Sequence, residues 1–120
     1  MSTLTLETEL FAVLQTLCPR VFPDVAPEGT AEPYVVWHQY GGAAPMYTEG
    51  QMVDRRNCYV QINVWHPSRM VCNQMSLDIE AALVAHPNLQ AQPLNALSAT
   101  YDEDQALRGS MQDFSLWALR

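Results

Sequence analysis

The segment from Asn57 to Trp65 alternates between two kinds of side chain, and this pattern constrains the fold more than any other feature of the chain. Its even-numbered positions are apolar and consist of Cys58, Val60, Ile62 and Val64. Its odd-numbered positions are Tyr59, Gln61, Asn63 and Trp65. Successive side chains of a strand point to opposite faces, so a strand with one dry face is predicted from Val53 to Trp65. The aromatics Tyr59 and Trp65 on the second face indicate a surface that a partner subunit covers.

Two segments have the spacing of amphipathic helices. The first is predicted from Leu6 to Cys18, with Thr5 as its cap. The second is predicted from Pro67 to Ala85, and Pro87 stops it. Its expected buried stripe consists of Val71, Met75, Ile79, Ala82 and Leu83. A further apolar line along this helix, which would allow a second contact surface, consists of Met70, Leu77 and Val84.

The remaining strands complete one sheet. Tyr34 to Tyr40 alternates, and Leu94 to Tyr101 and Met111 to Leu119 are predicted to form a hairpin with an acidic loop. Val21 and Phe22, next to a proline-dense run, suit a short edge strand. The order of elements predicts a single α+β domain over residues 1–120. Its mainly antiparallel sheet would have about four strands, with both helices packed on one face.

Composition excludes several classes of protein. The chain has 120 residues, a formal net charge of −7 and no lysine, and its arginines are scattered. Because binding nucleic acid through phosphates needs clustered cations, a DNA-binding or RNA-binding function is excluded. An acidic protein could still lie beside DNA if its task were to let DNA slide past without binding it. The chain lacks an apolar stretch of about eighteen residues, and its first residues do not resemble a secretory signal. Synthesis in a cytoplasm, with no membrane partner, is therefore expected.

The chain shows no convincing catalytic, cofactor or metal site. Its three cysteines are an odd number, which favours reduced, buried thiols, and its cysteines and histidines lack the spacing of a zinc site. Cys58 and His38 could face each other as nucleophile and base on neighbouring strands, but a chance pairing is favoured. His66 and His86 each precede a proline, where an imidazole ring is expected to cap backbone groups.

Other candidate residues point to surfaces. Asp102, Glu103 and Asp104 could coordinate calcium, but the segment lacks the pattern of a calcium loop, so a solvated turn is favoured. The tryptophans on predicted strands, Trp37, Trp65 and Trp117, are either core residues or interface anchors. The segment from Gly41 to Gln51 is predicted to be a mobile loop that becomes ordered on a neighbour, with Met46 and Tyr47 as its contacting side chains.

Several local strings occur in a recognisable order. They are Val21-Phe22-Pro23, Pro33-Tyr34-Val35-Val36, Tyr47-Thr48, Asp54-Arg55-Arg56, Tyr59-Val60-Gln61-Ile62, Leu107-Arg108 and Asp113-Phe114-Ser115-Leu116-Trp117. From Leu6 to Leu119, this order resembles the small tail-completion, or tail-terminator-like, proteins of long-tailed bacteriophages and prophages. The resemblance carries no catalytic residues onto this chain.

The resemblance implies a structural virion protein of the tail or neck. Such proteins form a ring, typically hexameric, at the head-proximal end of the tail tube. The expected partners are further copies of the chain, the tail tube protein and the head–tail connector protein. Loosely inferred interface residues are Met46, Tyr47, Tyr59 and Trp65. Asp102, Glu103 and Asp104 form either an ordinary solvated turn, which is favoured, or an acidic surface that faces the lumen. The alternatives are a head-closure or neck connector protein and a small ligand-binding module or enzyme.

Overall fold

The structure is a computed structural model that describes residues 5–44, 55–104 and 106–119. In chain order its elements are α1 (Leu6–Gln15), β1 (Val21–Pro23), β2 (Tyr34–Gly41), β3 (Arg55–His66), α2 (Arg69–Ala85), β4 (Gln92–Pro93), β5 (Ser98–Asp102) and β6 (Leu107–Leu119). The predicted α+β class is confirmed. The sheet has six strands rather than about four, because β1 and β4 add short edge pairings to the four longer strands.

The centre of the sheet is the antiparallel pair of β3 and β6. Their register runs without interruption from Arg55 opposite Leu119 to His66 opposite Arg108. The strand order is β1-β2-β3-β6-β4, and β5 also pairs with β6. The only parallel pair in the described part of the sheet is β1 with β2. The predicted hairpin of the last two longer strands is confirmed, with β5 starting at Ser98 and β6 at Leu107.

Helix α1 begins at a capping box and buries one leucine stripe. The Thr5 side chain accepts a hydrogen bond from the Thr8 backbone N–H, and the Thr8 side chain bonds to the Thr5 backbone in return. The buried stripe consists of Leu6, Leu10 and Leu14. The helix ends at Gln15, earlier than predicted, because the next residues form a turn in which the Leu17 N–H donates to the Leu14 carbonyl.

Helix α2 begins later than predicted and faces the sheet differently at its first turn. It starts at Arg69 because the Ser68 side chain caps it by accepting from the Val71 N–H. The buried residues are Cys72, Ser76, Ile79 and Leu83. Val71, predicted to be buried, is exposed. The adjacent Cys72 takes the position against the sheet, and its thiol donates to the Arg108 carbonyl at 3.0 Å.

Both helices pack on the same face of the sheet, here called the inner face. The apolar residues of β3 predicted to be dry are all buried there with residues of both helices and of β6, among them Leu10, Leu83 and Phe114. Polar pairs flank this core: Ser110 of β6 bonds to Asn73 of α2 at 2.9 Å, and Gln112 bonds to Glu80 at 2.9 Å. The inner face therefore supplies the main apolar core.

Candidate assembly surface

The face of the sheet opposite the helices, here called the outer face, is divided into two halves. On one half, Tyr34, Val36 and Leu107 are buried beneath Phe22, Ala26 and Trp65 in a second, smaller cluster. This is the covered half. It forms because the chain after β1 turns back across the sheet, and the Asp24 N–H bonds to the Trp37 carbonyl at 2.8 Å. The proline-dense run thus protects part of a face that strand alternation alone leaves open.

The other half of the outer face, the open half, has no described helix or strand packed over it. Its centre is an aromatic pair, with the rings of Tyr40 and Tyr59 at 6.1 Å between centroids and tilted by 48°. Tyr40 is 47% exposed. Burial, followed by the charge of Asp113 on β6 and a hydrogen bond to it, raises the pKa of the Tyr40 hydroxyl, which therefore stays protonated.

The sheet also presents a free edge beside the open half. Strand β1 pairs with β2 only at Val35, Val36 and Trp37. Beyond them, β2 continues from His38 to Gly41 with β3 on one side and no described strand on the other. An unpaired edge of this kind offers backbone hydrogen bonds to another chain.

Helix α2 carries the second uncovered surface, which we call the α2 ridge. It consists of Met70, Leu77 and Val84, the apolar line that the sequence predicted. Met70 is 82% exposed, and Leu77 and Val84 are exposed as well. Since this ridge points away from the sheet, one subunit has uncovered apolar or aromatic side chains on two different sides.

The sequence-predicted interface residues are distributed among these regions. Tyr59 lies at the centre of the open half, whereas Trp65 is half-buried in the covered half. A Cβ atom on Gly109 would lie only 2.8 Å from Cζ3 of Trp65, so the indole packs directly on that glycine. Met46, Tyr47 and most of the predicted mobile loop lie outside the described residues. The structure adds Tyr40, which sequence reasoning missed because its neighbour across the strands could not be read from β2 alone.

The acidic run forms the predicted turn between β5 and β6. Asp102 ends β5, and its carboxylate accepts a hydrogen bond from the Asp104 N–H at 3.0 Å. Asp102 is half-buried, whereas Glu103 and Asp104 are exposed. The run is thus not uniform, since one member faces the protein and two face solvent.

The arginines of the described residues bind within the chain. They are Arg20, Arg55, Arg56, Arg69 and Arg108. Four of them donate to backbone carbonyls, and only Arg56 forms an ion pair with a carboxylate, that of Glu7 at 2.7 Å. No arginine in the described residues pairs with Glu103 or Asp104, so the turn adds negative charge to its end of the molecule.

Reactive side chains are not brought together. Cys58 lies on the inner face and His38 on the outer face, opposite Gln61, so the alternative nucleophile and base are separated by the sheet. Burial raises the pKa of the Cys58 and Cys72 thiols, which disfavours their reactive thiolate forms. All three cysteines are free and buried, as predicted. Within the described ranges, no group of three or more potential ligands could hold a metal ion.

Two histidines have the backbone role that was predicted for them. The His66 ring accepts a hydrogen bond from the Ser68 N–H at 2.9 Å, and the His86 ring accepts one from the Asn88 N–H at 3.2 Å. Both rings stabilise the chain at an end of α2 and do not line a site. In the part of the chain that the structure describes, no helix has the length and apolar character needed to cross a membrane.

Comparison with known proteins agrees with this architecture. Residues 4–119 match the family described as tail completion protein gp17. The chain belongs to this family. The family assignment makes it a structural component of a virion tail or neck, and it therefore works by contacting other tail or head proteins. The family is one of structural virion proteins rather than of enzymes.

A solved structure shows the same fold. A chain of the structure titled "Virion of native gene transfer agent (GTA) particle" superposes on this tail completion protein with a TM-score of 0.64 at 18% sequence identity. The alignment covers 91% of this chain and 86% of that chain. No curated protein matches the sequence.

Proposed function

We propose that this tail completion protein forms a closed, hexameric ring that caps the head-proximal end of the tail tube and joins it to the head–tail connector protein. The observation that carries the proposal is the presence of two different uncovered surfaces on one subunit, the α2 ridge and the open half of the outer face. A ring of identical subunits joined head to tail needs two different, complementary patches on each copy. These surfaces lie on opposite sides of the sheet, where such patches would be.

The chemistry of the two surfaces favours an apolar and hydrogen-bonded contact. The α2 ridge supplies aliphatic side chains, and Tyr40 and Tyr59 supply rings whose hydroxyls can bond to backbone groups. Because the described arginines are already bound within their own subunit, any ion pair that one of them formed with another copy would require an existing bond to break. Met46, Tyr47 and Trp65 are further residues that we propose for contacts with a neighbouring subunit or the tube.

The acidic turn fits a role beside the DNA passage. Glu103 and Asp104 are exposed, and we propose that they face the lumen together with Asp102. A negative lining repels the phosphates of a passing duplex, so DNA leaves without being held. The function proposed here requires no catalysis, cofactor or metal ion.

The test combines assembly and DNA binding. Purified protein is mixed with uncapped tail tubes and imaged, and a duplex is titrated separately at low salt, where electrostatic attraction is strongest. We expect a ring at one end of each tube and no duplex binding at micromolar protein. Changing Leu77→Ser on the α2 ridge should abolish the rings, whereas Phe11→Ser on exposed α1 should not.

Two outcomes would overturn the proposal. Micromolar duplex binding without association to tubes would remove the tail-capping function. Binding to isolated connectors but not to tubes would favour the alternative of a head-closure or neck connector protein.

A further inference from the structure

We propose that a histidine at each end of helix α2 makes this helix sensitive to acid. The two histidines belong to His66-Pro67-Ser68, directly before the helix, and to His86-Pro87-Asn88, directly after it. These two segments are here called the His-Pro turns. They lie within one subunit, so their response to acid does not depend on the proposed ring.

Both His-Pro turns are built from the same contact. Nδ1 of His66 accepts a hydrogen bond from the Ser68 N–H at 2.9 Å, and Nδ1 of His86 accepts one from the Asn88 N–H at 3.2 Å. The proline within each turn has no N–H and disfavours helical backbone in the residue before it. The first backbone donor after each histidine is therefore the one that its ring binds, and each ring holds the chain where α2 begins or ends.

Protonation removes the acceptor on which each turn depends. A neutral imidazole has one nitrogen that accepts a hydrogen bond, whereas both nitrogens of an imidazolium are donors. Histidine side chains change charge between about pH 5 and 8. Both rings are half-buried, so protons from solvent reach them. Acid in this range would place an N–H of the ring against the backbone N–H that the ring now binds, and the turn would open.

The charges beside His66 do not oppose this effect. Arg108 of β6 lies opposite His66 in the strand register, and its guanidinium donates to the Pro67 carbonyl at 3.1 Å. On the helix side, Arg69 is the first residue of α2, and the Cys72 thiol donates to the His66 carbonyl at 3.5 Å. Since both charged neighbours are cations, an imidazolium at this turn gains no attraction from them that would offset the lost hydrogen bond.

The charges beside His86 are mixed. The Asn88 side-chain N–H donates to Glu9 of α1 at 3.2 Å, and Arg55 of β3 donates to the Asn88 carbonyl. A carboxylate beside the turn attracts an imidazolium, whereas the guanidinium repels it. We therefore expect acid to open the His86 turn less readily than the His66 turn.

His38 provides a contrast within the same chain. Its Nδ1 lies 2.8 Å from a carboxylate oxygen of Asp24. A proton on this nitrogen preserves the contact and makes it an ion pair, whereas a proton on Nδ1 of His66 or His86 destroys one. The acid sensitivity of the His-Pro turns should therefore not require His38.

Opening of both turns would free the ends of the helix that carries the α2 ridge. Any effect on the ring rests on the proposed function, so the experiment is made on the free protein, whose unfolding does not depend on assembly. Urea unfolding is measured at about pH 7.5 and about pH 5.5. His66→Asn and His86→Asn are the informative variants, because an asparagine oxygen can accept from the N–H two residues on but gains no proton.

The expected result is a larger response to acid in the unchanged protein than in either variant. On acidification its unfolding equilibrium constant should rise about fivefold more than that of His66→Asn, and at least about twofold more than that of His86→Asn. His38→Asn is the control and should not reduce the response. A response of the unchanged protein equal to that of either His-Pro turn variant would overturn the proposal.

NMR of the unchanged protein gives a test that needs no substitution. Long-range proton–nitrogen spectra should show Nε2–H rings for His66 and His86 at about pH 7.5, because Nδ1 is the acceptor. The Ser68 and Asn88 amide protons should each move upfield as the ring of the same turn gains its proton. The Thr8 amide, whose acceptor is a hydroxyl, should not move. Nδ1–H rings at neutral pH, or amide shifts that do not follow their rings, would equally overturn the proposal.

Discussion

Strand β3 contributes side chains to both faces of the sheet, and the two faces differ in how deeply those side chains are buried. On the inner face of β3, Val60 and Val64 are fully buried against the helices. On the outer face, the adjacent Tyr59 and Gln61 are only half-buried. Burial of these side chains therefore depends on their position in the alternation more than on their size, because Tyr59 is larger than Val60 and yet is less buried. The main core lies on the inner face, whereas on the outer face only the covered half has a smaller buried cluster.

The largest expected effect comes from removing a side chain on the inner face. Phe114→Ala should lower the free energy of unfolding by about 3–5 kcal/mol, since Phe114 is fully buried in the main core. Met111→Ala, on the outer face of the same strand, should cost less than about 1 kcal/mol. Urea unfolding of both variants measures the difference. Equal losses would show that the two faces contribute alike.

A glycine substitution tests the covered half of the outer face. Gly109→Ala should cost about 1–3 kcal/mol because the new methyl group would collide with Trp65 and the Thr100 side chain. Gly41→Ala is the matched control, since no atom lies within 4 Å of its added Cβ. Thermal unfolding compares the two variants. If Gly109→Ala were as stable as Gly41→Ala, the close packing of Trp65 on β6 would be wrong.

A substitution in the open half should weaken self-association more than it lowers the stability of the fold. Tyr59→Ala should weaken self-association about tenfold, because an aromatic side chain at the centre of an interface contributes strongly to binding. Its cost in folding should stay within about 1 kcal/mol, the usual range for a cross-strand pair. Sedimentation over a range of protein concentrations measures the first quantity, and urea unfolding measures the second. A large loss of stability with unchanged association would reverse the roles assigned to the two faces.

The smallest expected effect is a pH dependence at the rim of the helical layer. Burial raises the pKa of Glu7, but the hydrogen bond and charge of Arg56 outweigh it, so the folded pKa lies below its ordinary value of 4.5. The resulting stabilisation is present above the unfolded pKa and is lost as pH falls through the folded pKa. Because the pair is partly exposed, it should contribute no more than about 1 kcal/mol.

The measurement for this pair is the stability of Glu7→Gln as a function of pH. The difference from the unchanged protein should be present at neutral pH and should shrink as the solution is acidified below the ordinary pKa of a glutamate. Thr8→Ser, on the exposed side of the same helix turn, keeps a hydroxyl in the capping box and should leave the pH profile unchanged. A difference that grows on acidification would contradict the assigned direction.

The local elements were predictable where one physical signal dominates. The alternation in β3 fixed its dry face, and the Thr5 cap and Pro19 located α1 to within a few residues. The prediction that Val71 is buried was wrong, because the small side chain of Cys72, and not the more apolar valine, fits against β6. Sequence periodicity ranks side chains by hydrophobicity and cannot weigh such tertiary fit.

The candidate surfaces were predictable only in part. The α2 ridge and Tyr59 follow from spacing within one element, and both are where the spacing placed them. The pairing of Tyr40 with Tyr59 joins residues of two different strands. It depends on the strand register, which a single sequence does not specify.

In the proposed ring, the open half of one subunit packs on the α2 ridge of the next. The most direct test places the photoreactive residue p-benzoylphenylalanine at Tyr59 or, as a control, at Phe11 on α1, and illuminates the protein assembled on tail tubes. Mass spectrometry then locates the attachment points. The probe at position 59 should attach to residues of α2 in a neighbouring copy, whereas the probe at position 11 should not. Attachment of the position 59 probe only within its own subunit, or no attachment to α2, would contradict the proposed packing.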